Sequence, residues 1–330
     1  MTKIVTQSSL GTWRRCKHLY NYKYIEKLRP RSLSRPLAFG SAVHKIIEFR
    51  IKGIPQDKAI EEMNKGRAQL FSAEIDAWDQ IMMDASDIMI AYDLHYKKDP
   101  LKYPVTKGLK AEHHFTYELG GGFQLKGVID AMPESDDGRR WVMEHKTRGG
   151  RIENDSVRTR DVQTMIYAEV AQGVFGIKRI AGVMWDYVRS KSPPVPDILK
   201  DGSISKRKID TLPHVYERFI LAHGLDIRHY QEVLGTLDEG VSAWFRRVRL
   251  PLNRSAMGVI FDETRTTARE IHRKAGVDTT RSLTRDCSWC SYEKLCMAEL
   301  MGMDADFIRE REYRVDDKAH SELPEEPDGD

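Results

Sequence analysis

The stretch GVIDAMPESDDGRRWVMEHKT, residues 127–147, places Asp130, Glu144 and Lys146 at the inner ends of two apolar runs joined by an acidic turn. Charged groups are costly inside a sheet unless something pairs them. A strand alternates its faces, so Glu144 and Lys146 point one way and His145 the other. The turn at Asp136-Asp137-Gly138 folds the second run back along the first and brings Asp130 beside Glu144, 14 positions away (144 − 130). Two carboxylates at close quarters repel unless a cation lies between them, and a hard oxygen site suits Mg²⁺ or Mn²⁺. Such an ion polarises a phosphate and lowers the pKa of a bound water. Lys146 can orient that water and stabilise developing negative charge. The chemistry that uses these parts is phosphodiester hydrolysis. The rival reading is a surface hairpin with a solvated ion pair, because E-x-K alone is a common tripeptide.

Two neighbours add to the set. Gln163 and Tyr167 stand four apart in a helical pattern and share a face, although a core tyrosine and a solvated glutamine would give the same spacing. His44, in FGSAVHKIIE, offers an imidazole, a good Mn²⁺ ligand, although a lone helical histidine is more often structural. A second group is separate. Cys16, Cys287, Cys290 and Cys296 are the only cysteines, the last three spaced C-x2-C-x5-C. In a reducing compartment they read as thiolate ligands rather than disulfides. Zinc and an iron–sulfur cluster both accept four thiolates, and the residues alone leave both open.

The elements that must position these groups follow from the patterning. The chain has 330 residues, 40% hydrophobic and 31% charged, with a formal net charge of +3. This is a soluble globular composition with enough length for a sizeable core. The charge balance neither demands nor excludes nucleic acid. No apolar run is long enough to span a bilayer, and no apolar signal core follows the first residues, so a cytoplasmic location is expected. Residues 8–28 read as a helix capped by Ser8 or Ser9, 29–36 as a basic proline-bounded loop, and 39–51 as a helix with Val43, Ile46, Ile47 and Ile51 on its apolar face. Residues 56–98 are helical by pattern. Strands are expected near 109–118, 122–131 and 140–147, a helix over 161–173 from Asp161 to Gly173, a strand over 180–189, an irregular insertion over 190–240 serving as a DNA-facing or lid element, a strand over 243–252 and a helix near 255–275. The N-terminal segment mixes Trp13, Tyr20, Tyr22 and Tyr24 with bases. Most of these tyrosines are expected in the core, with Arg14, Arg15 and the arginines of 29–35 on DNA phosphates.

With Asp130, Glu144-His145-Lys146, Gln163…Tyr167 and Gly40-Ser41-Ala42-Val43-His44 in place, the chain resembles the PD-(D/E)XK nuclease superfamily in its RecB-like branch. Residues 39–187 follow the order of that branch: histidine helix, three strands, Q-x-x-x-Y helix, strand. The resemblance implies an α/β restriction-endonuclease-like core, a mixed central sheet flanked by helices, with a helical N-terminal region. It implies Asp130, Glu144, His44 and the His145 backbone carbonyl as ligands of Mg²⁺ or Mn²⁺, Lys146 as the catalytic lysine, and Gln163 and Tyr167 as residues that position DNA and the site. Ile129 stands where this branch usually has proline, and Glu112 is a candidate outlying acid. A lone cysteine after SSLGTWRR together with C-x2-C-x5-C is similar to the iron–sulfur RecB-like nucleases, among them the CRISPR-associated four-cysteine exonuclease family, its viral relatives and the AddB nuclease domain. That likeness implies a 4Fe–4S cluster on Cys16, Cys287, Cys290 and Cys296, with zinc as the rival. Lys17 follows Cys16 where proline is frequent.

The implied organisation is one elaborated nuclease domain over 1–310: an N-terminal cluster and DNA-contact segment at 1–38, a catalytic core at 39–189, an insertion at 190–242 and a C-terminal cluster region at 243–310. A charged tail at 311–330 is expected to be disordered. The implied function is a metal-dependent DNA exonuclease acting on single-stranded ends in recombination, repair or replication. The alternatives are a structure-specific or nicking endonuclease, or a DNA-binding accessory subunit of a recombination or spacer-acquisition complex. A helicase, recombinase or single-strand-binding protein is the expected partner, since the chain has no G-x-x-x-x-G-K-[ST] loop of its own.

Overall fold

The computed structural model describes residues 3–150, 162–317, 320 and 323, with the side chains of Gln69 and Thr164 excepted. Strand β1 (Lys3–Val5) leads into helix α1 (Gln7–Arg15). The cap of α1 is Thr6, not Ser8 or Ser9: the Ser9 N–H donates to the Thr6 hydroxyl at 3.0 Å, and the Thr6 N–H donates to the Ser9 hydroxyl at 2.9 Å. This reciprocal pairing satisfies two donors that a helix start leaves open. The helix expected over 8–28 breaks at Cys16, whose backbone is extended (φ −164°, ψ 121°). The chain re-enters helix as α2 (Lys17–Tyr20) and a π-helical turn at Asn21–Ile25. Tyr20, Tyr22 and Tyr24 are buried, as expected.

The stretch 29–36 is a loop only at 31–34. It contributes to β2 (Leu28–Pro30) and to the start of α3 (Arg35–Lys52), where Pro36 occupies the first turn that tolerates it. Val43, Ile46, Ile47 and Ile51 are buried on α3. Helices α4 (Gln56–Asn64) and α5 (Ile75–His95) follow. Strands β3 (Ala111–Gly120), β4 (Phe123–Ala131) and β5 (Arg140–Arg148) come next. Gly120, Gly121 and Gly122 join β3 to β4 with φ of 82°, 63° and 79°, a left-handed run that side chains resist. Helix α6 (Val162–Gly173) carries Gln163 and Tyr167; its expected start at Asp161 lies outside the described residues. Strand β6 (Ile180–Arg189) matches its expected bounds.

The insertion is more regular than expected. It forms α7 (Pro213–Ala222) and α8 (Gln231–Gly240) around a small core of their own, including Tyr216, Ile220, Tyr230 and Leu234. Arg218 binds both oxygens of Asp87 on α5, at 2.7 and 2.6 Å, and the Ser192 hydroxyl donates to Asp84. The insertion therefore packs against α5. Strand β7 (Phe245–Pro251) and helices α9 (Arg254–Lys274), α10 (Glu293–Leu300) and α11 (Ala305–Glu312) complete the order with β8 (Tyr313–Val315). The tail expected to be disordered from 311 thus begins with the end of α11 and a strand. β8 pairs antiparallel with β2, and a three-residue strand needs such a partner for its backbone groups.

The central sheet runs β1-β4-β5-β6-β7, with β3 also on β4. β1 is parallel to β4 and β5 to β6, while the β3–β4, β4–β5 and β6–β7 pairs are antiparallel. Helices α1, α6 and α9 cover one face around Leu10, Ile166 and Phe261; α3, α5 and α7 cover the other around Ile46, Ile88 and Val215. This is the expected mixed sheet flanked by helices. Among the described residues, no helix is long and apolar enough to cross a membrane.

Candidate active site

Strands β4 and β5 are laddered at Ala131 and Met143. Just past that pair, side chains take the place of a β4 partner for the His145 backbone. The His145 N–H donates to Asp130 Oδ2 at 2.7 Å, and its carbonyl lies 3.1 Å from His44 Nε2, reaching in from α3. His44 Nδ1 then lies on the Asp130 side, 3.6 Å from Oδ1. Glu112 on β3 sits between the pairs Ala111–Ala131 and His113–Ile129, with φ at +53°. A glutamate in that region stores strain. Here the turn of the backbone accompanies a carboxylate aimed at the notch. His44, Glu112 and Asp130 each offer one ligand atom, and these atoms all lie within 4.8 Å of one another.

Glu144 stands on the α6 side of the same notch. Its Oε1 accepts from Lys146 Nζ at 2.5 Å and from Gln163 Nε2 at 2.8 Å. Its Oε2 is buried and has no hydrogen-bond partner among the described residues. An orphaned, buried carboxylate oxygen is what a cation would complete. Tyr167 is buried against Phe115, ring centroids 5.4 Å apart, and packs over Gly127. A Cβ at Gly127 would meet the Phe115 ring at 2.7 Å and the Tyr167 hydroxyl at 3.3 Å, so the glycine is what lets both rings close on the strand. The resulting cleft holds about 480 Å³, and Thr6, Gln7 and Ser8 at the start of α1 line it together with Lys126.

The charges in this cleft are in tension. Burial, and then the negative charge of Asp130, push the Glu112 and Glu144 carboxyls well above their ordinary range. Burial would lower the His44 imidazole, but Asp130 outweighs it and raises it to about 9. Burial would raise Asp130, but His44 holds it well below the usual carboxylate range. Three carboxylates against one lysine and one histidine leave room for a divalent cation, and this donor set of oxygens with one imidazole fits Mg²⁺ or Mn²⁺.

All the residues expected at the site from the sequence are brought to this notch, with the His145 side chain on the opposite sheet face as alternation requires. Glu112 belongs nearer its centre than an outlying acid. Strand periodicity gave no hint of that, because the positive φ interrupts the alternation. Nothing in the sequence pointed to the first turn of α1.

The four cysteines meet elsewhere. They line one cavity of about 40 Å³, with Cys16 at the break between α1 and α2 and the other three at the turn before α10 and within it. All four are free and half-buried. Burial raises the Cys290 and Cys296 thiols, and the other thiols add to the rise. Arg281 Nε donates to Cys296 Sγ at 3.3 Å. In the basic segment at 29–35, Arg29 donates to the Leu28 and Lys23 carbonyls, Arg31, itself exposed, to the Tyr313 carbonyl, and Arg35 to Asp84. Arg14 and Arg15 also have partners, Thr267 and the Asp286 carbonyl, but both remain exposed.

The family model of the PD-(D/E)XK nuclease superfamily matches residues 4–297. No curated protein matches the chain. Among solved structures, one titled "Crystal structure of SSO0001" is similar at 13% identity over 79% of this chain and 84% of its own, with a TM-score of 0.30, a level that carries no argument.

Proposed function

We infer the activity from one premise: the chain belongs to the PD-(D/E)XK nuclease superfamily. Members are nucleases that use divalent metals, so the chain is a metal-dependent nuclease of DNA. Beyond this we propose a DNA exonuclease of the RecB-like branch that acts on single-stranded ends and carries a structural 4Fe–4S cluster on Cys16, Cys287, Cys290 and Cys296. The observation that carries the catalytic part is the notch itself, where His44, Glu112 and Asp130 share one face of the gap and Glu144, Lys146 and Gln163 the other.

Mg²⁺ or Mn²⁺ at this site would polarise the phosphodiester and lower the pKa of a water. His44, Asp130, Glu144 and the His145 carbonyl would hold it, with Glu112 as a further carboxylate. Lys146 orients the attacking water and stabilises negative charge on the phosphate oxygens. Gln163 holds Glu144 in place, and Tyr167 closes the floor of the cleft. Exposed Arg14 and Arg15, at the far end of α1 from the cleft, supply phosphate contacts.

Incubation with closed and linear plasmid and Mn²⁺ tests the reading. An exonuclease degrades linear DNA from its ends and spares the closed circle. Opened circles would favour the endonuclease alternative. Binding with no cleavage of either would favour an accessory subunit and overturn the catalytic reading. Single strands should compete better than duplex for the protein if bases stack on it.

The raised acids predict a pH dependence. With Glu112, Glu144 and His44 all shifted upward, the metal-free site retains protons at neutral pH. A metal must displace them. Mn²⁺ binding should therefore release protons, and its affinity should rise as pH climbs toward about 9, where His44 gives up its proton. Calorimetry in two buffers of different ionisation enthalpy reads the proton count. Affinity that is flat with pH, with no proton release, would exclude this arrangement of charge.

A further inference from the structure

We infer that Asp186 and Arg247, on the sheet face opposite Glu144 and Lys146, are positioning residues that fix the His145 backbone for the metal site. The inference rests on the nuclease reading above and adds residues to it.

His145, Asp186 and Arg247 form one straight row across β5, β6 and β7: His145 is in register with Asp186, and Asp186 with Arg247. His145 Nδ1 lies 2.9 Å from Asp186 Oδ2, and Arg247 Nε donates to Asp186 Oδ1 at 3.0 Å. The Tyr92 hydroxyl donates to the same Oδ2, and Arg247 reaches on to Asp99. Asp186 is fully buried and His145 2% exposed. Buried ion pairs are expensive, and a well-packed apolar row usually serves stability as well or better. Packing alone therefore does not account for this row.

What the row holds does. The His145 backbone makes the contacts that orient two proposed ligands, its N–H to Asp130 and its carbonyl to His44. On that side the grip comes from the ligands themselves, because the laddered pair of β4 with β5 lies behind, at Ala131 and Met143. On the other side β5 is laddered to β6 from Arg140 to Arg148, and the imidazole of His145 adds a side-chain tie at this one residue, bound by one nitrogen to a carboxylate that an arginine and a tyrosine hold still. His145 Nε2 is buried without a hydrogen-bond partner among the described residues, and the ring also meets the ring of His44 edge-on, centroids 5.9 Å apart, a second contact with the same ligand. Residues that orient a metal's ligands are worth about 10–100-fold in metal affinity.

The test uses the full chain with its cysteine group intact. Asp186→Asn removes the charge at constant shape. His145→Leu removes the anchor but leaves Asp186 paired with Arg247 and Tyr92, so it answers the question if Asp186→Asn does not fold. Mn²⁺ is titrated by calorimetry and by the metal dependence of DNA cleavage, alongside thermal melting. The expected result is Mn²⁺ affinity weaker by about 10–100-fold, with cleavage largely recovered at saturating metal. A purely structural role would lower melting and maximal rate and leave the metal dependence where it is; that result overturns the inference. Folded variants with the wild-type Mn²⁺ affinity overturn it alone. A wild-type chain that neither binds Mn²⁺ nor cleaves DNA overturns the nuclease reading and this inference with it.

Discussion

Lys146→Ala is expected to slow DNA cleavage by about 10²–10³-fold while DNA binding stays nearly intact, the usual cost of losing one electrostatic contact made in the transition state. The lysine is well placed for that effect. Its ammonium bonds Glu144 Oε1 at 2.5 Å and lies 5.4 Å from the centre of the Trp185 ring, which limits where it can move. Its neighbours in the cleft are the proposed ligands, not the exposed bases that hold the bulk of a DNA chain. Single-turnover cleavage with saturating Mn²⁺, beside a binding titration on uncut DNA, separates the two effects. A mutant that cuts at the wild-type rate would remove Lys146 from the chemistry. One that loses binding in parallel with cleavage would make it a substrate anchor.

The second large effect is expected at Cys16. Cys16 and Cys287 lie 271 positions apart (287 − 16), so a group shared between them closes a loop over nearly the whole nuclease core. As a cross-link this is worth about 5–6 kcal/mol by chain entropy, an upper estimate. The protein already closes part of that loop without the cysteines. Lys17 bonds Asp278 at 2.7 Å, Tyr22 stacks on Tyr292 with centroids 5.5 Å apart, and β2 pairs with β8. Cys16→Ala should therefore lose the bound group or leave it labile and lower the melting temperature of the whole domain by less than the full cross-link value. Anaerobically prepared wild-type protein should be brown and contain iron and sulfide near the 4Fe–4S ratio. One zinc per chain with no sulfide would replace the cluster with its rival. Full metal content and unchanged melting in the mutant would remove the clamp.

Much of the site was legible because its chemistry is written in strand alternation and helix spacing. Asp130, Glu144 and Lys146 needed only a hairpin and a two-residue period, and Gln163 and Tyr167 only a helical one. Glu112 was harder, because its place depends on one backbone angle that no period encodes. β2 and β8 escaped notice for a related reason: three residues carry no readable pattern, and each is a strand only because the other lies 283 or more positions away (313 − 30). The Cys16 break was hidden by good helix formers on both sides. The arginines of 29–35 read as a DNA surface from composition, whereas their partners are backbone carbonyls and a buried aspartate that sequence does not reveal.

The β2–β8 pair also sets a schedule for synthesis. Leu28 faces Val315, a separation of 287 residues (315 − 28). At about 5–20 residues per second, a ribosome needs roughly 15–60 s to bring the second strand out after the first. During that interval the sheet strands from β1 to β7 have emerged, and they can pair while β2 still waits with bare edges. The two strands that join the ends of the chain beside the cysteines are consequently the last pair of the described sheets whose partners are both out of the ribosome.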